Sequence, residues 1–126
     1  MNFLLLGVDQ VGVIHDLILN PGELPGRAKD KSLDGALARV ENRIAYGLIA
    51  DVFDLAAAYA GAIAQGHCFN DGNKRTAFRS MQMVLRLNGF EVPLVSDEEI
   101  GRRIIALAQG HLDPGDLADW LREMAG

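Results

Sequence analysis

Residues 48–66 read LIADVFDLAAAYAGAIAQG and residues 67–75 read HCFNDGNKR, and these two runs decide the fold. In the first, Ile49, Val52, Phe53, Ala56, Ala60 and Ile63 recur at the three-to-four-residue spacing of one helical face. The alanines between them let neighbouring helices approach closely from several sides, so Leu48 to Gln65 is expected to be the central helix of the molecule. Gly66 is expected to end it in the left-handed conformation that a residue without a Cβ adopts freely. The second run is a loop, and from about Asn73 a further helix runs to Asn88-Gly89 with Ala77, Met81, Val84 and Leu85 on its inner face.

Working outward, Val8 to Leu19 carries Val11, Ile14 and Ile18 on one face and is stopped by Asn20, Pro21 and Gly22. Gly22 to Lys31, with Pro25, Gly26 and several charges, reads as an exposed turn or short hairpin, a flap. Ser32 can cap a helix running to about Tyr46, with Leu33, Leu37, Val40 and Ile44 buried and Gly47 at its end. On the other side, Phe90 to Val95 is expected to be a short extended piece. Ser96 with Asp97, Glu98 and Glu99 is a capping signal for a helix that buries Ile100, Ile104 and Leu107 and stops near Gly110. Asp113 with Pro114 starts the last helix, which buries Leu117, Leu121 and Met124. The expectation is an all-α bundle of about six helices with a short flap, one domain over residues 1–126.

Composition narrows the function classes. Hydrophobic residues make up 49% and charged residues 23% of the 126, as in a globular chain, and no apolar run is long enough to cross a bilayer. Twelve basic against seventeen acidic residues give a net charge of −5, which disfavours a broad nucleic-acid surface or a helix-turn-helix regulator. The lone Cys68 can form neither an internal disulfide nor a multi-thiol zinc site, and Met1 to Leu6 is too short for a signal peptide, so a cytoplasmic protein is expected.

The chemistry concentrates between His67 and Arg75. A helix N-terminus presents unpaired N–H groups to an anion, and Gly72 lets a phosphate approach the backbone. Lys74 adds a point charge, Arg75 a planar fork and Asn73 an amide donor, which together describe a polyphosphate cradle. Asp71 would repel phosphate unless a divalent cation lay between them, and Mg²⁺ held by one carboxylate plus phosphate oxygens is the usual arrangement. His67 can take a proton from an incoming hydroxyl. Alone, each has a plainer reading: Asp71 and Asn73 as helix caps, Lys74 and Arg75 as a solvated face. His15 and His111 are expected to be ordinary surface or core histidines, Phe69, Phe78 and Trp120 core anchors, and Arg39, Arg43, Arg102 and Arg103 a solvated face.

His67, Phe69, Asp71, Gly72, Asn73 and Arg75 match the signature of the Fic family, and Lys74 stands where most Fic adenylyltransferases have a second glycine, as it does in the Doc (death-on-curing) branch. The segment thus resembles the Doc branch of the Fic/Doc family, as do the chain length, Leu24-Pro25-Gly26, Ala45-Tyr46 and Thr76-Ala77. Two positions depart from the pattern: Cys68 replaces proline or an aliphatic residue, and Gln65 replaces a basic one.

The resemblance implies a toxin held in check by a Phd-type antitoxin, which uses ATP and Mg²⁺ to phosphorylate a threonine of elongation factor Tu and halt translation. His67, Asp71, Lys74 and Arg75 would be catalytic, Asp71 the metal ligand, and Gly72, Asn73, Lys74 and Arg75 the phosphate site. Leu24, Pro25, Gly26 and Arg27 would form the flap that clamps the target. No string of the kind that makes up the inhibitory helix of self-regulated Fic proteins is present, so inhibition would come in trans. Adenylyl transfer and a non-catalytic binding module stand as alternatives.

Overall fold

The computed structural model describes residues 2–91 and 97–125, and among them six α-helices and no strand. They are α1 (Val8–Ile18), α2 (Leu33–Ala45), α3 (Val52–Gly66), α4 (Asn73–Leu87), α5 (Asp97–Ala108) and α6 (Pro114–Ala125). The fold is all-α, as the periodicity predicts.

Helix α3 is the axis of the bundle, packing against α2, α4, α5 and α6. Every residue from Leu55 to Ala64 is buried, which is the burial pattern of a helix apolar on all sides. Its small residues set the spacing. A Cβ at Gly61 would lie 2.9 Å from Cγ of Pro114, so the start of α6 rests directly on the α3 backbone. Leu55, Ile63, Met81, Leu107 and Leu121 are among the large side chains sealed in the core, each contributing about 1.5–3 kcal/mol.

Capping explains where α2 and α3 start. Ser32 Oγ accepts from the Gly35 N–H at 3.0 Å and begins α2 as expected. Asp51 Oδ1 accepts from the Asp54 N–H at 2.9 Å, so α3 starts at Val52 and residues 48–51 lie outside it. The apolar period had run through Leu48 and Ile49 because Ile49 still packs on the core without being helical.

The other end of α3 differs more. Gly66 remains helical, and the left-handed residue is His67, at φ 48° and ψ 41°. Gly66 is small for another reason: its Cβ would lie 2.9 Å from Cys68 Sγ and 3.3 Å from the Ala36 Cβ. Helix α5 stops at Ala108 with Gly110 at φ 77°, near the expected end. Of the extended piece from Phe90 to Val95, residues 92–96 lie outside the described residues, as does the Ser96 cap. Phe90 itself meets Phe53 edge-on at 5.2 Å.

Between α1 and α2, residues 22–31 form turns. A single antiparallel bridge joins Arg27 to Phe69, with the Ala28 N–H donating to Cys68 O at 2.8 Å and the Asn70 N–H to Gly26 O at 3.1 Å. The flap is therefore paired with the loop between α3 and α4.

Candidate active site

His67 is exposed and is the one non-glycine residue with positive φ among the described residues. This conformation costs an L-residue about 1–2 kcal/mol. It turns the chain out of α3 at once, so the next residue, Cys68, is 1% exposed, its Sγ 3.5 Å from Ser32 O. Burial pushes the Cys68 thiol up, the nearby Arg39, Arg27 and Lys31 acting in the opposite sense, and the residue fills the small buried site expected for it.

The loop after His67 is braced from both sides. Asn73 Nδ2 donates to Phe69 O at 2.8 Å while its Oδ1 accepts from the Phe69 N–H at 3.0 Å, so the side chain closes the loop onto itself. Thr76 Oγ1 donates to Gly72 O at 2.8 Å. Gly72 sits at φ 81°, and a Cβ there would lie 3.1 Å from Ile18 Cδ1 and 3.6 Å from His15 Cδ2. Glycine is required here by the turn and by the closeness of α1.

Helix α4 opens without a side-chain cap and without an acidic residue in its first turn, unlike α2 and α3. Its first N–H groups are left to face a cavity of about 280 Å³ lined by His67, Asn70, Asp71, Gly72, Asn73, Lys74 and Arg75. Every residue proposed for catalysis or phosphate binding lines this space. The flap residues do not, but they border it through the main chain. The Leu24 N–H donates to Asp71 Oδ2 at 2.7 Å and Asn70 Nδ2 donates to Pro25 O at 2.9 Å. Arg27 joins through its bridge to Phe69.

Arg75 is held from behind. It donates to Ile18 O at 2.9 Å and makes an ion pair with Glu23, whose carboxyl the guanidinium holds below the usual carboxylate range. Lys74 is exposed and lines both this cavity and a neighbouring one of about 560 Å³. The larger space has apolar walls from Leu17, Ile18, Phe78 and Ile104, with Arg75 and Arg79 at its edge. Phe78 is thus half-buried cavity wall as well as core anchor.

Among the described residues no group of three or more His, Cys, Asp or Glu is assembled as a metal cage. Asp71 lines the cavity with one carboxylate oxygen bonded to the Leu24 N–H, and a single carboxylate beside a phosphate site is the donor set that a shared divalent cation would use.

Three residues make contacts that the sequence analysis did not describe. Gln65 donates to Leu107 O at 3.0 Å and ties α3 to α5, away from the cavity. Arg103, expected on a solvated face, stacks its guanidinium over Trp120 at 3.8 Å and donates to Glu99 O at 3.1 Å. His15 is completely buried, a core histidine, yet its Nε2 lies 2.7 Å from Asp71 O and its ring stacks on Phe69. His15 and Glu23 are the site residues that sequence reasoning missed. The available signal was weak: His15 falls on the buried stripe of α1 with Val11 and Ile18.

Six helices with the apolar α3 as their axis, and the signature loop at the head of α4, define the class. The chain belongs to the Fic/Doc family, whose model matches residues 5–85. Within it, the chain groups with the Doc toxins. It is 36% identical to "Protein kinase doc" of Escherichia phage P1 over 119 residues, 94% of this chain and 93% of that one. It is 34% identical to "Toxin Doc" of Mycolicibacterium smegmatis over 96 residues, 75% of this chain and 72% of that one. No helix among the described residues is long and apolar enough to cross a membrane.

Proposed function

We propose that this chain is a Doc-type protein kinase that moves the γ-phosphate of ATP to a threonine hydroxyl of elongation factor Tu in the cytoplasm, and that a Phd-like antitoxin holds it in check. The observation that carries the reading is one cavity lined by His67, Asp71, Lys74 and the uncapped start of α4. The name of the phage relative, a protein kinase, supports phosphate transfer.

In this mechanism His67 takes the proton of the threonine hydroxyl, an effect worth about 10²- to 10⁴-fold. The freed oxygen attacks the γ-phosphorus, the bond from that phosphorus to the β–γ bridging oxygen breaks, and ADP leaves. The first N–H groups of α4 with Lys74 and Arg75 stabilise the charge on the transferred group. Asp71 would hold Mg²⁺, which neutralises phosphate charge when bound. Glu23 and Ile18 O fix the Arg75 guanidinium so that it needs no reorganisation. The larger cavity, lined mostly by apolar residues with Lys74, Arg75 and Arg79 among them, suits the nucleoside end of the nucleotide. Leu24, Pro25, Gly26 and Arg27 clamp the target segment.

Lys74 also argues for which phosphate moves. A glycine at this position leaves room for the phosphate chain of an adenylyl-transfer pose, whereas a lysine fills that room and favours the γ-phosphate at the hydroxyl. The test incubates the protein and its His67→Ala variant with Mg²⁺, elongation factor Tu and ATP labelled on the α- or the γ-phosphate. Transfer of γ-label alone, lost in the variant, is expected. Transfer of α-label would make the chain an adenylyltransferase, and no transfer of either label would remove this target or this chemistry.

A further inference from the structure

We infer that His15 is a positioning residue for the group transfer proposed above, fixing the loop that carries Asp71 through a hydrogen bond to that residue's main chain. Four observations join the last turn of α1 to this loop. The His15 Nε2 lies 2.7 Å from Asp71 O, and because a carbonyl only accepts, Nε2 carries the hydrogen. The His15 ring lies flat on Phe69, 3.8 Å between centroids and 8° between planes. Gly72 approaches His15 Cδ2 and Ile18 Cδ1 so closely that a Cβ there would lie 3.6 and 3.1 Å from them. Arg75 donates to Ile18 O, the carbonyl at the end of the same turn.

These contacts act on consecutive parts of the loop. Phe69 is buried, and its backbone is gripped by Asn73, so the ring contact fixes the first half. The Asp71 carbonyl fixes the second half, one residue before the αL turn at Gly72 and the first N–H groups of α4. His15 thus holds the Asp71 carbonyl while the Leu24 N–H holds its Oδ2, so the main chain and the side chain of this residue are each tied to a neighbour. Both ties are in place without a ligand. His15 itself is fully buried and reaches neither cavity, so it acts through Asp71 and Gly72 rather than on the reacting atoms.

Two variants separate the donor from the ring. His15→Phe keeps a flat ring against Phe69 and fills the buried space but removes the N–H. His15→Gln keeps an N–H of similar reach and removes the ring. The expected result is that His15→Phe folds with unchanged helical content yet loses on the order of 10- to 100-fold in kcat, the effect of a misplacement near 1 Å, while His15→Gln recovers most of it. Equal activity of His15→Phe and the parent would overturn the inference, as would equal loss in both variants in step with equal loss of Tm, which marks a packing role only.

A second readout does not depend on catalysis. In ¹⁵N-labelled protein the His15 ring should show a slowly exchanging Nε2–H, and the amide signals of Asp71, Gly72 and Asn73 should move in His15→Phe and return towards the parent in His15→Gln. A fast-exchanging ring proton, or loop amides unmoved in His15→Phe, counts against the role. If the parent protein transfers no phosphate, the proposed activity fails while these signals still decide the positioning claim.

Discussion

Asn73 illustrates how one side chain serves two purposes. Both of its polar atoms bond the main chain of Phe69, and the amide still has one hydrogen to offer an anion. Asn73→Asp keeps an acceptor for the Phe69 N–H but sets a carboxylate against Phe69 O and adds negative charge to the anion cradle. The expected cost is about 1–3 kcal/mol of stability in urea unfolding, with transfer lower on the order of 10²-fold. Gly66 is the second sensitive position. Gly66→Ala brings its Cβ to 2.9 Å from Cys68 Sγ and should cost about 1–3 kcal/mol. Pairing it with Cys68→Ala removes that sulfur, so the double variant is expected to lose less than the sum of the two single losses. Additive losses in that cycle would place the strain elsewhere, at Ala36.

Between elements, small numbers of polar contacts supplement the apolar core. Tyr59 on α3 donates to Leu6 O at 2.8 Å and accepts from the Leu6 N–H at 2.9 Å, fastening the N-terminal segment, and burial pushes its phenol up. Tyr59→Phe strands both Leu6 groups and should cost about 1–3 kcal/mol, read by thermal unfolding. Most of this architecture is legible from the chain alone, because α2, α4, α5 and α6 each carry one apolar stripe and a start or stop signal within a few residues. The ends of α3 are not, for different reasons. Ile49 packs without being helical, and the left-handed turn falls on His67 while Gly66 stays helical and is kept small by Cys68 and Ala36. The signature loop marks the cavity, since its residues are consecutive. His15 and Glu23 are separated in sequence from the groups they hold by 56 and 52 positions, and a lone histidine or glutamate carries no local sign of such a partner.

For the molecule as a whole, two ion pairs contribute to its expected response to acid. Arg75 holds the Glu23 carboxyl below its ordinary value, and Arg122 on α6 does the same for Asp51 at the start of α3. A carboxyl depressed in the folded state takes up protons more readily when unfolded. Its contribution is therefore present above its ordinary value near pH 4 and is lost as pH falls through the lower folded value. Tm should accordingly hold from pH 7 to about 5 and decline below about 4. Arg122→Met should flatten part of that decline and cost about 1 kcal/mol at neutral pH. An unchanged slope would assign the acid response to other carboxyls. The flap carries a different kind of consequence. Apart from the Glu23–Arg75 ion pair, its four ties to the signature loop use Leu24 N, Pro25 O, Gly26 O and Ala28 N, main-chain atoms that almost any sequence supplies. Gly22 and Gly26, at φ 88° and 85°, are positions where the backbone restricts the choice of residue. The side chains at 24, 27 and 28 are thereby released from holding the loop, and natural variation can rewrite what the flap meets while its mooring is inherited intact.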